Sequence, residues 1–293
     1  MGLDIGQALR EGASRTAGRN GLLVAAVFAG IALLTTVLFQ SLLIAAAESA
    51  LSTFQSASPQ ELGLAPAEYD DAITQFETAH EQVRSNAPFA VDLSAGIAAA
   101  GLLVLAIGAE AVSIAAVRVF ATDEPGTATA DLITDNALLA TLNGFVGKIV
   151  VWGLILVGSL FLLVPGVVLA VLFFFLRQEI AIHDKNFVQG MADSWRVTKG
   201  HRVEVFLVGA VLVIVSRFEE VTSAAIGVVS TPAGTVAAAV VGGLLGAFGT
   251  AAATRAYVQI GVDEGGDATD DAEPDEEPKD PYDAALSADD LTR

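Results

Sequence analysis

Hydrophobic positions in this chain gather into long uncharged runs. Residues 21–47 hold 27 uncharged residues, 93–109 hold 17 and 149–176 hold 28. Shorter apolar stretches cover 137–146, 203–216 and 235–254. About 20 helical residues cross the hydrocarbon core of a bilayer, so the pattern predicts membrane helices. The expected fold is all-α and polytopic, with six transmembrane helices. The first run is expected to stay in the protein, because the apolar region of a signal peptide is only about 7–15 residues long.

The run at 149–176 sets the topology. As one helix its 28 residues would be about 42 Å long, against a hydrocarbon core near 30 Å. Pro165 would also break the helix at its centre. The alternative is a hairpin between the third and fourth helices, with arms at 137–164 and 166–183 and Pro165-Gly166 as the turn. Lys and Arg favour the cytoplasmic side of a membrane. With the hairpin, Arg10, Arg15, Arg19, Arg118, Lys148, Arg177, Lys185, Arg196, Lys199, Arg202, Arg255, Lys279 and Arg293 all fall on one side. Only Arg84 and Arg217 fall on the other. The expectation is a multi-pass cell-membrane protein with both termini in the cytoplasm.

The polar segments divide the rest. Residues 1–20 form a cytoplasmic N-terminal segment, where Leu3, Ile5, Ala8 and Leu9 suit a short helix on the membrane surface. Residues 21–260 form the membrane domain. Within it, 48–92 is an extracytoplasmic helical insertion, in which Tyr69, Ile73, Phe76, His80 and Val83 recur at helical spacing. That face is expected to fold back on the protein itself. Residues 123–136 read as a turn and a helix start. Phe187, Met191 and Trp195 recur every four residues and predict a helix lying along the cytoplasmic surface. After Arg217 the fifth helix kinks, dips or continues; the residues leave that open. Residues 261–293 read as a disordered acidic cytoplasmic tail.

Composition changes the picture in three ways. Thirty-four acidic residues against 15 basic ones give a net charge of −19 in a chain that is 53% hydrophobic, with mean hydropathy +0.60. Scarce Lys and abundant Asp on the water-facing parts point to a halophilic, archaeal source. The acidic balance offers no footprint for nucleic acid. There is no Cys, so disulfides and thiolate metal sites are excluded.

Charges inside the apolar runs are the best chemical signal, since a charge at mid-bilayer costs about 2.5–3.5 kcal/mol and calls for a partner or water. Glu110 lies eight residues before Arg118 and Arg177 seven before Asp184. At 1.5 Å per residue the two sit at about the same depth, so an intramembrane ion pair is expected between the second and fourth helices. Glu179 points away from Arg177 and is expected to meet Arg118, Lys199 or Arg202. Lys185, Arg196, Lys199, His201 and Arg202 make a basic cluster that is a candidate for lipid headgroups, or for ordinary membrane anchoring. Ala238, Gly242, Gly246, Gly249 and Ala253 form a small-residue seam for helix packing. A homodimer along that seam is the weaker reading. His80, His183 and His201 are too scattered for a metal site. No phosphate-binding loop, dinucleotide fingerprint, zinc-protease motif or nucleophile elbow occurs, so neither catalytic residues nor cofactors are expected.

One set of motifs resembles a known family. It comprises LLVPGVVLAVLFFF, the RQEIAIHD that follows, then MADSWRVTKGHR, with ALREG-x-x-RT-x-x-x-N before the first run. These are similar to the uncharacterised prokaryotic six-helix membrane proteins related to the membrane domain of glycerophosphodiester phosphodiesterases. The resemblance implies a six-helix membrane fold and no established activity. The phosphodiesterase barrel of the fused members has no room in this chain. The reading that follows is a non-enzymatic membrane scaffold or accessory protein handling lipids or another membrane protein. The alternative is a small-solute transporter or channel with a polar site at Glu110 and Arg177. A membrane-embedded lipid enzyme would need a catalytic constellation that the residues do not supply.

Overall fold

The computed structural model describes residues 2–122, 134–161, 163–227 and 231–270, and side chains through 261 except that of residue 161. Ten helices are described: α1 (Ile5–Ala17), α2 (Arg19–Ser56), α3 (Pro66–Ser85), α4 (Ala95–Ala121), α5 (Ala137–Phe161), α6 (Leu163–Leu172), α7 (Leu176–His183), α8 (Phe187–Val197), α9 (Arg202–Gly227) and α10 (Thr231–Asp270). No strand occurs among the described residues.

Five helical spans are long and apolar enough to cross a membrane: Arg19–Ser56, Ala95–Ala121, Ala137–Leu160, Leu163–His183 and Thr231–Gly261. Their outer surfaces carry exposed large apolar side chains such as Val104, Leu156, Leu160 and Leu163. In water these would be costly, and against lipid they are not. α9 is not among the five, because Arg202, Glu204, Arg217, Glu219 and Glu220 interrupt it. It nevertheless runs unbroken through Arg217 to Gly227, so the fifth run continues as helix. Residues 228–230 lie outside the described residues.

α10 is the post around which α1, α2, α4 and α9 stand. Residues 251–257 are buried on every face. Only a stretch as small as Ala251-Ala252-Ala253 lets four helices come this close. α1 lies across α10, with Gly12 against Ala252: a Cβ at position 12 would come within 2.8 Å of the Ala252 backbone. The pair is pinned by Arg255 Nε donating to Glu11 Oε2 at 2.5 Å. The N-terminal segment is therefore part of the packed core, and Leu3 and Ala8 are buried there. Burial pushes the Glu11 carboxyl up, but hydrogen bonds from Gln7 and Arg255 outweigh it and hold the group below the usual carboxylate range.

α3 packs back on the far end of α2. Tyr69 stacks on Phe54 at 5.5 Å and Phe76 on the same ring at 4.9 Å, while His80 lies 3.6 Å from Glu48. None of α3 is fully buried, and Tyr69, Ile73, His80 and Val83 are among its partly covered positions. α10 extends to Asp270, so its last turns overlap the acidic segment expected to be disordered from residue 261. Residues 271–293 lie outside the described residues, as do 123–133, where most of the expected turn and helix start fall.

α5 and α6 lie side by side. A Cβ on Gly158 would come within 3.0 Å of Gly166 N, and one on Gly166 within 3.0 Å of Ile155 O. Pro165 and Gly166 belong to the first turn of α6 rather than preceding it. A proline there lacks an N–H that the helix would not have bonded anyway.

The break between α6 and α7, at Phe173, Phe174 and Phe175, accounts for the conspicuous Ser-Trp motif. Ser194 Oγ donates to Leu172 O at 2.9 Å and accepts from Phe175 N at 3.2 Å, so one buried hydroxyl satisfies backbone groups that the break leaves free. Trp195 packs on Phe173 at 6.3 Å. Gly200 takes φ +95°, a conformation that favours glycine, where the chain turns from α8 into α9.

Candidate functional site

Buried polar groups concentrate at the end of the bundle where α1, α7 and α8 gather: Glu110, Arg118, Gln178, Glu179, Ser194, Thr198, Thr254 and Arg255 are all buried. Arg118 ties three elements together. It donates from Nε to Ala181 O at 2.7 Å, from Nη1 to Asp135 O at 2.5 Å and from Nη2 to Asp184 Oδ1 at 2.9 Å. The first bond caps the C-terminal end of α7, where carbonyls lack helical partners. Arg15 does the same for α4 by donating to the carbonyls of Phe120 and Thr122.

The structure brings Glu110 and Arg177 together. Arg177 Nε donates to Oε1 at 2.9 Å and Nη2 to Oε2 at 3.2 Å, a two-pronged pair on a carboxylate only 1% exposed. The site also contains Lys148, whose Nζ lies 3.6 Å from Glu110 Oε2 and which is 47% exposed. Gly144 makes room one turn earlier on α5: a Cβ there would come within 3.0 Å of Glu110 Oε1. Beside the pair lies a pocket of about 180 Å³, walled by Trp152, Phe173, Phe174, Leu176 and Ile180. One carboxylate and two cations leave it with one surplus positive charge.

Glu179 does not meet Arg118, Lys199 or Arg202. Asp184 takes the left-handed conformation, φ 52°, and the chain turns back so that Lys185 Nζ reaches Glu179 Oε2 at 2.7 Å. Tyr257 OH donates to Glu179 Oε1 at 2.9 Å, and His183 Nδ1 lies 3.2 Å from the same hydroxyl. Lys185 also holds Asp193 at 2.6 Å, and Arg196 pairs with Asp193 from the other side. The expected headgroup cluster is therefore mostly engaged within the protein. Lys185 and Arg196 meet on Asp193, the Arg202 guanidinium sits 6.0 Å from the Trp195 ring centre, and Lys199 is exposed.

The Lys185–Asp193 link latches α8 to α7 and sets a pH window. The hydrogen bond from Lys185 holds Asp193 below its ordinary 3.8. Burial pushes Lys185 down, but Asp193 and Glu179 outweigh it and raise the group above 10.5. The Asp193 contribution is thus present above pH 3.8 and lost as pH falls through its lowered value. The Lys185 contribution is present below pH 10.5 and lost as pH rises through its raised value. Asp193→Asn is expected to flatten the acid limb of a melting-temperature profile; an unchanged acid limb would show that the latch adds no pH dependence.

The small-residue seam also differs from expectation. Gly242 lies under the Glu219 carboxylate of α9, Gly246 is packed tightly on Phe28 of α2, where a Cβ would come within 3.3 Å of the ring, and Gly249 has open space beside it. The closest approach to α2 is at Gly243, outside the expected seam, where a Cβ would come within 2.7 Å of Ala29 N. The helical period finds a small-residue face, but two neighbours, α9 and α2, pack on adjacent glycines, Gly242 and Gly243. Of the groups not expected at the site, Lys148 had a signal, as the only charge between 137 and 176. Tyr257 had none, because its partners are distant in sequence, and Ser194 stood out only as part of the MADSWRVTKGHR motif, without a role.

Among the described residues no three His, Cys, Asp or Glu side chains form a metal-binding group. No curated protein and no solved structure matches this chain. A family model for a domain of unknown function, DUF7847, matches residues 3–260, and the chain belongs to that family.

Proposed function

We propose that this is a non-enzymatic accessory protein of the cell membrane that handles lipids, with six crossings and both termini in the cytoplasm. The observation that carries the lipid reading is the pocket beside Glu110. The deep charges of the bundle are spent on one another, while this pocket keeps a surplus cation and includes Lys148 and Trp152, 47% and 64% exposed, on the apolar outer wall.

The sixth crossing is α9. Val203, Phe206, Leu207, Val213, Ile214, Phe218 and Val221 are exposed along it, and its 26 residues span about 39 Å. Arg217 pairs with Glu220 at 2.6 Å, and the Glu219 carboxylate packs against Gly242 of α10. The hairpin reading takes support from the close packing of Gly158 on Gly166, and the orientation from the charge asymmetry of the loops. The likeness to the membrane domain of glycerophosphodiester phosphodiesterases belongs to the same proposal.

Two measurements test this. The Cys-free chain allows single labels, and Leu163→Cys, 72% exposed near the hairpin tip, is expected to react with an impermeant maleimide from outside intact cells. Lys199→Cys is expected to stay protected, and the reverse pattern would refute the topology. Mass spectrometry of the protein purified from its membrane in mild detergent is expected to find a stoichiometric lipid. A bound protein with no lipid would leave a scaffold only, and solute flux through the pocket would replace the proposal with transport.

A further inference from the structure

The lateral pocket, if the lipid reading above holds, also has a defined ligand chemistry. We infer that it binds the phosphate of an anionic lipid headgroup, with Lys148 exchanging Glu110 for the phosphate while Arg177 keeps Glu110 in place.

The asymmetry of the two cations points to this exchange. Arg177 is fixed by two bonds at 2.9 and 3.2 Å, whereas Lys148 lies 3.6 Å away and half exposed, beyond hydrogen-bond length. A guanidinium has five N–H donors, and Glu110 engages Nε and Nη2. Nη1 makes no hydrogen bond among the described residues. The lysine ammonium carries three donors on a flexible stem. Both residues line the same pocket, which offers a phosphate one mobile and one fixed cationic donor. The 180 Å³ of space is roughly the share of six liquid waters, enough for a phosphodiester group with part of its hydration.

The position of the pocket selects a lipid over a free anion. Trp152 and Phe173 line it, and Trp195 packs on Phe173, an aromatic set of the kind found where headgroups meet chains. Beyond Trp152 on α5 come Leu156 and Leu160, 70% and 83% exposed, an apolar track for an acyl chain. Glu110 is then the resident anion that Lys148 faces when no lipid is present.

The test uses the full chain in detergent. Trp152 and Trp195 are its only tryptophans, so Trp195→Phe makes Trp152 the sole reporter. The probes are dihexanoyl phosphatidylglycerol, the phosphatidylcholine of equal chain length, and inorganic phosphate. A saturable Trp152 fluorescence change is expected with phosphatidylglycerol, with phosphatidylcholine much weaker and phosphate weaker still. Lys148→Gln is expected to weaken phosphatidylglycerol binding about fivefold, the share of one basic residue near a membrane surface. Glu110→Gln, where it folds, is expected to tighten it by removing the competing anion. If lipid co-purifies but Lys148→Gln leaves the titration unchanged, the pocket assignment is wrong and the lipid reading survives. If inorganic phosphate binds as tightly as phosphatidylglycerol, the lipid source is wrong. If no lipid co-purifies and none titrates, both fall together.

Discussion

Arg177→Met is expected to lower the stability of the protein by about 3–5 kcal/mol, the cost of leaving a buried charge without its partner. Glu110 is 1% exposed and would keep only Lys148, at 3.6 Å and half solvated. Lys148→Gln is expected to cost under about 1 kcal/mol, because a pair with one half-exposed member is screened and loosely held. The distinction lies in the double variant. Arg177→Met combined with Glu110→Gln removes both charges, so most of the loss is expected to return, giving a coupling of several kcal/mol in a double-mutant cycle. Thermal unfolding in one detergent, followed by far-ultraviolet circular dichroism, measures these variants and the Glu110→Gln single that completes the cycle. An Arg177→Met protein as stable as the parent, or a double variant no better than the single, would mean that the pair does not lock α4 to α7.

These two residues were legible in the sequence because a helix converts residue number into depth. Glu110 and Arg177 stand at similar distances from the charged ends of their runs, and opposite charges at one depth are natural partners. The apolar runs were legible for the same reason, since their lengths are set by the bilayer and not by distant contacts. α9 was harder to read. Arg217, Glu219 and Glu220 look like a stop, yet the helix continues through them, with Arg217 and Glu220 paired one turn apart and Glu219 packed against Gly242 of α10. Glu179 was misassigned because its lysine returns through a left-handed turn at Asp184, a conformation that composition does not announce. The Ser-Trp motif stood out without a reason until the break at Phe173 placed unpaired backbone groups beside Ser194. The depth of a residue along its helix could be read; which faces meet where two helices cross could not.

That difference makes the glycines of α10 the second decisive test. Gly243→Leu is expected to destabilise the protein by about 3 kcal/mol or more, at or beyond the upper end of the usual cost of overpacking. The Cβ alone would lie 2.7 Å from Ala29 N and 2.8 Å from Ala29 Cβ, and it would also meet the Ala25 carbonyl oxygen. These neighbours are mostly backbone, so no side-chain rotation relieves the clash, and α2 would have to move off α10. That movement would open the cluster of Ala25, Ala116, Phe120, Ala247 and Ala251. Gly249 lies six residues further along and has nothing within 4 Å of an added Cβ. Gly249→Ala is therefore expected to be neutral, or stabilising by up to about 1 kcal/mol through helix propensity. Melting temperature and the monodisperse fraction in size-exclusion chromatography compare the two. Equal behaviour at 243 and 249, or greater harm at 249, would mean that α10 meets α2 along the regular small-residue seam and not through the close crossing at Gly243.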